Sequence, residues 1–493
     1  MTRIHRVLAV PATGAGYYED LAALQASHVP LPQRFTAPPV TPGFRAVREP
    51  AEAVSVGLLL DDGRVAWGDC VAVSYSSKAG RDSVFRSQDG LAAIQHTVAP
   101  VLTGQVLTGF RELAAEVDAL HSPPDPVPID ASPPVPEPGA EDATGPQPEP
   151  EPEVQDPARR ALLTALPRAL QGPDRPDTPP PISSTRREGT AVQRPLHTAV
   201  RYGVSQALLQ AVALVRGLTM AEVICQEWDL PVPDTPVPIH AQSGSERYYN
   251  AEKMMVRRIV SLPHALVDDI PGQLGAEGSE MTRYIRWLAK RIGELGGDAY
   301  RPTIHLDVHG ALGQIYQHNL GRILGQLYAW ELAAQPYPLR IESPMVLESR
   351  NAQIEAMAEL RGYIRIRKMN VQLVADEWAN TLDDILAFVD VGAADMIQIK
   401  MPDLGGLHHT VAAVLACHTG GAGAFLGGSY AETDLSARAS VHVALATRPD
   451  LIMAKPGMGV DEAISLVENE MARTLASISA RAAAGMDLDD PTP

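Results

Sequence analysis

The chain has 493 residues, of which 45% are hydrophobic, so it is long enough for a large core and for more than one domain. Its formal net charge of −18 argues against nucleic acid or an anionic membrane as a partner. No apolar run approaches the ~18 residues that a membrane-spanning helix needs. The three cysteines are odd in number and far apart, which fits a reducing compartment. These features predict a soluble cytoplasmic protein.

The first part of the chain, residues 1–121, predicts an α+β domain. A strand-like start, RIHRVLAVPAT, precedes a predicted hairpin, AVSVGLLLDDGRVAWGDC, in which two apolar runs flank a DDGR turn. Helical periodicity follows in LAAIQHTVAPVLTG and FRELAAEVDALH. Residues 194–235 add a further periodic helix, LHTAVRYGVSQALLQAVALVRG, and a linker.

A segment rich in proline and acidic residues interrupts this pattern at residues 122–193. Its composition predicts a disordered insertion, because it cannot bury enough apolar surface to order itself. A solvated spacer is the favoured interpretation, since long loops are tolerated at small entropic cost. A docking segment for a partner is the alternative. Residues 481–493 predict a flexible tail.

Strand and helix patterns alternate through residues 236–480. The strand-like runs are VPIHAQSG, LPHALVDD, TIHLDVHG, PLRIESP, LVADEW, MIQIKMP, AGAFLGGS and LIMAKPG. Eight such runs, most followed by a helical stretch, predict a (β/α)₈-type barrel. The residues at their C-terminal ends are Gln242, His264, Asp307, Glu342, Asp376, Lys400, Ser429 and Lys455. Barrel enzymes carry out their chemistry at that face.

Three of these strand-end residues are acidic: Asp307, Glu342 and Asp376. A single strand-end acid is usually a helix cap or an ion-pair partner. Three in successive units converge, and they repel one another unless a hard divalent cation lies between them. Lys400 is placed to take a proton from a carbon whose carbanion the metal stabilises, and we expect burial and the cation to lower its pKa. A lysine base with Mg²⁺ is the pairing found in the enolase superfamily.

The chain resembles the 3-methylaspartate ammonia-lyase (methylaspartase) family, which belongs to the enolase superfamily. The similarity covers nearly everything outside the insertion. The segments that carry it are GDCVAVSYSSKAGRD, HTAVRYGVSQA, TMAEVI, AQSGSERYYN, LPHALV, HLDVHG, RIESPM, LVADEW, QIKMPDLGG and AKPGMGVDE.

The resemblance implies an α/β, enolase-like fold, in which an α+β N-terminal capping domain covers a modified TIM (β/α)-barrel. It implies a carbon–nitrogen lyase that eliminates ammonia from L-threo-3-methylaspartate, or a close 3-substituted aspartate, to give mesaconate in glutamate catabolism. It also implies Mg²⁺ with a monovalent cation such as K⁺, a small-molecule amino-acid substrate, and a homodimer.

Site residues follow from the positions that match the family's motifs. Asp307, Glu342 and Asp376 correspond to magnesium ligands, while Lys400 and His264 correspond to bases on opposite faces of the substrate. His264 taken alone also fits a core histidine. Gln242 and Gln398 are expected to hold the amine and a carboxylate. Ser74, His264, Ser429, Tyr430 and Met453 complete the expected substrate-binding set.

Several expected pocket positions depart from the family. Its glutamine, threonine, cysteine and leucine are replaced here by Ser74, Ser429, Tyr430 and Met453, and a phenylalanine, a tyrosine and a threonine by His240, Phe425 and Met401. The reaction type is therefore better supported than the substrate. Two alternatives stay open: an enolase-superfamily eliminase or racemase acting on another amino acid, and a non-catalytic scaffold. The retained acids and bases argue against the scaffold.

Overall fold

The computed structural model describes residues 2–26, 29–122, 194–455 and 457–485. An antiparallel three-stranded sheet with packed helices forms one part, and a closed barrel of eight parallel strands forms the other. The predicted fold class, a cap on a (β/α)-barrel, is confirmed. The predicted insertion lies outside the described residues except at Ser122, as do residues 486–493 of the predicted tail.

The sheet of the capping part consists of β1 (Ile4–Glu19), β2 (Arg48–Leu60) and β3 (Val65–Cys70), in that order. The predicted hairpin is β2–β3. The N-terminal helices are α1 (Leu21–Ala26), α2 (Ser87–Ala93), α3 (Ala99–Leu102) and α4 (Phe110–Asp118). A π-helical turn, Ile94–Val98, separates α2 from α3. The helix predicted from LAAIQHTVAPVLTG is therefore present, but its middle turn is not α-helical.

Two further helices, α5 (Thr198–Arg216) and α6 (Met220–Trp228), complete the cap. Helix α5 lies very close to β3, since a Cβ atom on Gly203 would come within 2.4 Å of the Cys70 nitrogen. Among the described residues no single helix is long and apolar enough to cross a membrane, although α5 and α6, bent by 91°, reach that length and composition as a pair.

The barrel contains all eight predicted strands, each hydrogen-bonded in parallel to its neighbours. They are β4 (Ile239–Ala241), β5 (Ser261–His264), β6 (Thr303–Asp307), β7 (Leu339–Glu342), β8 (Val371–Ala375), β9 (Met396–Ile399), β10 (Gly423–Leu426) and β11 (Leu451–Ala454). Short apolar runs that are rich in Val, Ile and Leu suit strands that are buried on both faces.

Helices follow every barrel strand. They are α7 (Arg247–Val256), α8 (Ser279–Gly296), α9 (Ala311–Ile315), α10 (Leu320–Ala334), α11 (Arg350–Ile366), α12 (Leu382–Val391), α13 (Met401–Leu404), α14 (Leu407–Gly420), α15 (Asp434–Thr447) and α16 (Val460–Ala483). The last helix continues to Ala483, into residues that the sequence assigned to the tail.

The cap lies directly on the C-terminal mouth of the barrel. The Ser74 nitrogen donates to the Ser429 carbonyl oxygen at 2.9 Å. A Cβ atom on Gly16 of β1 would lie 1.8 Å from the carbonyl oxygen of Tyr430, and one on Gly457 would lie 2.2 Å from the same oxygen. Only glycines permit these approaches, so the loop after β10 is held between cap and barrel.

The two ends of the insertion meet in space. The Ser122 nitrogen donates to the Arg194 carbonyl oxygen at 2.8 Å, and His121 and Pro195 form an isolated antiparallel bridge. The chain therefore leaves and re-enters the cap at one place.

Candidate active site

A cavity of about 130 Å³ lies between the cap and the barrel mouth. Of the predicted site residues, Ser74, Gln242, His264, Asp307, Asp376, Gln398, Lys400, Ser429, Tyr430 and Met453 line it. Glu342 is fully buried beside it and accepts a 2.7 Å hydrogen bond from Gln398 Nε2. The structure thus brings together side chains that the sequence spreads over nearly four hundred residues.

The acidic residues Asp307, Glu342 and Asp376 form a buried group. Asp307 and Glu342 end the neighbouring strands β6 and β7 and are paired in register. Their oxygens, with a His264 nitrogen, lie within 4.8 Å of one another. Burial raises the pKa of Asp307 to about 7, and the Asp376 carboxylate acts in the same direction. Burial, Asp307 and Asp376 together raise the pKa of Glu342.

The oxygens of Asp307 and Glu342 therefore lie close together in a buried site. Oxygen ligands of this kind suit a hard divalent cation, whose charge offsets their repulsion. His305 Nε2 lies 2.8 Å from Glu342 Oε2 and orients that carboxylate from below. The residues present therefore fit a metal of the magnesium class.

Lys400 follows β9 and is ion-paired with Asp376. Burial acts to lower the pKa of Lys400, but the carboxylates of Asp376, Glu377 and Asp403 together outweigh it, and the pKa lies above its ordinary value. The expected lowering of the Lys400 pKa is therefore not found in the protein without a bound metal. A cation that engaged the charge of Asp376 would remove the largest contribution that raises the Lys400 pKa.

His264 ends β5 and points one nitrogen at the acidic group. Its Nε2 is 3.6 Å from Asp307 Oδ2, and its Nδ1 is 3.2 Å from His240 Nε2. Burial lowers the pKa of His264 to about 3, and the nearby Lys400 charge acts in the same direction. A neutral imidazole of this kind can accept a proton. His264 is thus both a buried histidine and a cavity residue.

The expected substrate-binding residues are held by different contacts. The Ser74 hydroxyl donates to the Tyr17 carbonyl oxygen at 2.8 Å, and the Ser429 hydroxyl accepts from the Ala431 nitrogen at 3.1 Å. The Tyr430 hydroxyl lies 3.4 Å from Arg48 Nη2, which donates to it. The far end of the cavity therefore carries a phenol and a guanidinium.

Three residues at expected pocket positions, His240, Phe425 and Met401, are not on its wall. His240 and Phe425 are both fully buried and lie below the cavity. Their rings meet edge to face, with centroids 5.1 Å apart. The physical reason is depth: His240 shares the inward face with Gln242 but sits one layer lower in the barrel. His240 therefore does not line the cavity, contrary to the expectation from the sequence.

The sequence reasoning missed a charged cluster from the cap. Arg81 Nη1 donates to Glu377 Oε2 and Arg81 Nε donates to Asp403 Oδ2, both at 2.8 Å and both buried. His309 Nε2 lies 3.6 Å from Glu377, and its ring stacks on Tyr75. The only local signal was the position of Glu377 and Asp403 just after strand-end residues.

Further charged residues line the cavity from the cap and from the loop after β5. Arg48 Nε lies 3.2 Å from Glu19 Oε1, and Asp268 Oδ2 accepts a 2.7 Å hydrogen bond from Arg34 Nη1, which is not on the cavity wall. Lys455, whose role the sequence left open, is buried and donates to the Gly427 carbonyl oxygen at 3.3 Å.

The fold combines a parallel eight-stranded barrel with an α+β cap, and the strand ends carry acids, a lysine and a histidine. Together these features define an enolase-like acid–base enzyme. A family model described as "Methylaspartate ammonia-lyase C-terminus" matches residues 231–480, and its N-terminal counterpart matches residues 2–127 and 182–229. The chain belongs to the methylaspartate ammonia-lyase family, and it is a carbon–nitrogen lyase.

Individual relatives agree over almost the whole length. Methylaspartate ammonia-lyase 2 of Carboxydothermus hydrogenoformans is 40% identical, covering 97% of this chain and 99% of the relative. The crystal structure of the Citrobacter amalonaticus enzyme containing (2S,3S)-3-methylaspartic acid has a TM-score of 0.79 at 35% identity, covering 97% and 100% of the two chains. A magnesium complex of beta-methylaspartase from Clostridium tetanomorphum has a TM-score of 0.76 at 34% identity, with the same coverage.

Proposed function

We propose that the protein eliminates ammonia from L-threo-3-methylaspartate, or from a close 3-substituted aspartate, to give mesaconate or its analogue. The observation that carries this proposal is the placement of Lys400 and His264 around one cavity, beside three buried acids. The relative from Citrobacter amalonaticus contains (2S,3S)-3-methylaspartic acid, and it supports a substrate of this class.

Asp307, Glu342 and Asp376 are the proposed ligands of Mg²⁺, in keeping with the magnesium complex of the Clostridium tetanomorphum relative. When bound, the ion stabilises the negative charge that grows on the substrate carboxylate as the neighbouring carbon loses its proton. A monovalent cation such as K⁺ is proposed on the family resemblance.

Two bases serve the two faces of the substrate. Lys400 takes the proton from one C3 epimer and His264 takes it from the other, which is consistent with their positions at the ends of β9 and β5. The electron pair of the broken C–H bond forms the new C=C bond. The C–N pair leaves with the nitrogen, so a substrate ammonium group departs as ammonia.

The substrate is held by Gln242 and Gln398, with Ser74, Ser429, Tyr430 and Met453 around its remaining groups. Gln398 already donates to Glu342, which keeps its amide beside the acidic group. The phenol of Tyr430, braced by Arg48, favours a polar 3-substituent over a plain methyl group. An eliminase for such an analogue is therefore the second candidate function.

The test is Mg²⁺-dependent release of ammonia from both C3 epimers of 3-methylaspartate and from a panel of 3-substituted aspartates. Appearance of the unsaturated diacid in the ultraviolet separates elimination from racemisation, which makes no double bond. We expect Lys400→Ala to abolish elimination from one epimer and His264→Ala to impair mainly the other. Equal loss of both epimers in both variants would contradict the two-base assignment, and turnover in EDTA would contradict the metal.

We also propose a domain division, an assembly state and a location. The cap is residues 1–121 with 194–235, the insertion 122–193, the barrel 236–480 and the tail 481–493. A homodimer is supported by the family resemblance and by apolar side chains exposed on α10 and α11, Tyr328, Leu332, Tyr363 and Ile366. Three free, buried cysteines support a cytoplasmic location.

A further inference from the structure

Three side chains, Ser261 of β5, His240 of β4 and His264 of β5, form a hydrogen-bonded row beneath the cavity. Ser261 Oγ lies 2.9 Å from His240 Nδ1, and His240 Nε2 lies 3.2 Å from His264 Nδ1. His240 and Ser261 are register partners on adjacent strands, so the backbone itself fixes their pairing. The Ser261 and His240 contacts are shielded from solvent, because both residues are at most 1% exposed.

The two nitrogens of His264 face different surroundings. Nε2 lies 3.6 Å from Asp307 Oδ2 on the cavity wall, whereas Nδ1 lies 3.2 Å from His240 Nε2 and 4.0 Å from Glu342 Oε2, so His240 is its hydrogen-bond partner. A neutral imidazole carries its hydrogen on one nitrogen and a lone pair on the other. His264 can accept a proton at the cavity only when its hydrogen is on Nδ1.

His240 can hold that hydrogen in place. Its Nε2 can accept from His264 Nδ1–H, and its own Nδ1–H then donates to Ser261 Oγ, so each nitrogen in the row has one partner. His305 and Phe425 pack on the His240 ring, with centroids 4.4 and 5.1 Å away, and keep it from turning. The family resemblance implies a phenylalanine at position 240, which has no acceptor to offer.

We propose that His240, braced by Ser261, is a positioning residue that fixes His264 in the Nδ1–H tautomer and leaves its Nε2 lone pair facing the cavity. The consequence for catalysis rests on the proposed function, in which His264 is a base. The tautomer itself does not depend on that function and can be measured without any substrate.

The direct test is a long-range ¹H–¹⁵N spectrum of the histidine-labelled full chain, in which His264→Gln assigns the His264 signals. We expect Nδ1–H at His264 in the unmodified protein and a mixture of tautomers in His240→Phe. His240→Gln should restore Nδ1–H, because its amide oxygen accepts a hydrogen bond. Ser261→Ala frees His240 to reverse its own tautomer, so it should also give a mixture.

The proposal is overturned if His264 is the Nε2–H tautomer in the unmodified protein, or if its spectrum is unchanged in every folded variant. Phe425→Leu is the packing control, since it removes a ring contact but no hydrogen bond of the row. It should leave the His264 tautomer unchanged, and a mixture there would assign the effect to packing and contradict the proposal.

Turnover supplies the second readout. His240→Phe should lower kcat about 10–100-fold, with little change in KM, for the epimer that His264→Ala impairs, since partners that orient a reacting imidazole are worth that much. Turnover of the Lys400-dependent epimer should not change, and His240→Gln should recover most of the loss. Equal loss on both epimers contradicts the proposal. Absence of ammonia release from the unmodified protein would contradict the proposed function, while the spectrum still decides the tautomer.

Discussion

At the scale of single residues, we expect the acids at the cavity to have opposite effects on metal binding and on stability. Asp307 and Glu342 are buried together, and each meets the charge of Asp376. Removing the charge of one of these acids should relieve repulsion in the metal-free protein. In the metal-bound protein the same change should weaken a proposed ligand of the metal.

Glu342→Gln should therefore have two measurable consequences of opposite sign. We expect it to weaken Mg²⁺ binding strongly in calorimetric titration and to abolish turnover, because a neutral amide oxygen replaces a charged ligand of a hard cation. In EDTA its melting temperature should equal or exceed that of the unmodified protein, because a buried charge that is repelled by Asp307 and Asp376 is removed. A lower melting temperature in EDTA would show that Glu342 is needed for the fold and not for the metal.

Substrate choice also belongs to this scale. Ser74 and Tyr430 replace side chains that read polar groups in the family, and losing such a contact costs more than the ~1–3 kcal/mol of a methylene in an apolar pocket. We expect slow turnover of 3-methylaspartate and faster turnover of an analogue whose polar group meets Tyr430. Ser74→Gln with Tyr430→Cys should then raise kcat/KM for methylaspartate. If the unmodified enzyme prefers 3-methylaspartate over every analogue, these replacements are neutral.

The position of His240 shows what a sequence pattern leaves undetermined. Alternation along β4 places His240 and Gln242 on the inward face, and both do point inward. The pattern does not fix depth, so it could not tell a cavity residue from one a layer below. Arg81 was missed for a different reason, since its partners Glu377 and Asp403 are some three hundred residues away in the chain.

At the scale of elements, the eight barrel strands were predictable because each is a short apolar run with a polar residue at its C-terminal end. Regular helices were predictable from their periodicity. The π-helical turn Ile94–Val98 was not, because it depends on how α2 and α3 pack on the sheet and leaves no periodic signal.

Helices α4, α5 and α14 are joined across the boundary between cap and barrel by Asp118. Its carboxylate accepts from Arg201 Nη1 at 2.8 Å and lies 2.6 Å from His409 Nε2. Burial alone would raise the pKa of Asp118, but the His409 contact and the Arg201 charge lower it from 3.8 to about 2. An acid whose pKa is lowered by folding stabilises the fold at pH values above its pKa in the unfolded chain. That stability is lost as the pH falls through its pKa in the folded protein.

Asp118→Asn should thus lower the free energy of unfolding by roughly 2 kcal/mol at neutral pH. The difference from the unmodified protein should shrink as pH falls from 4 towards 2, which denaturant titrations at several pH values can follow. Asp62→Asn is the control, since Asp62 forms an exposed pair with Arg64 that should contribute little. A difference that stays constant with pH would contradict the assignment.

At the scale of the whole molecule, the meeting of His121 and Ser122 with Arg194 and Pro195 determines how the insertion can be tested. Because the two ends already touch, removing the segment between them requires no movement of the cap. We expect deletion of residues 124–190, with a short Gly/Ser link, to leave the melting temperature and turnover near those of the full chain. A large loss of either would show that the segment packs on the cap or barrel.

The glycines that hold the loop after β10 have an implication for how this enzyme family diversifies. Gly16 and Gly457 fix the main chain at Tyr430 from two sides, whatever side chain that residue carries. A new side chain at this position can therefore arise by mutation without moving the lysine, the histidine or the acids. The proposed recognition of a substituent by Tyr430 can therefore change while the groups proposed to remove the proton stay in place.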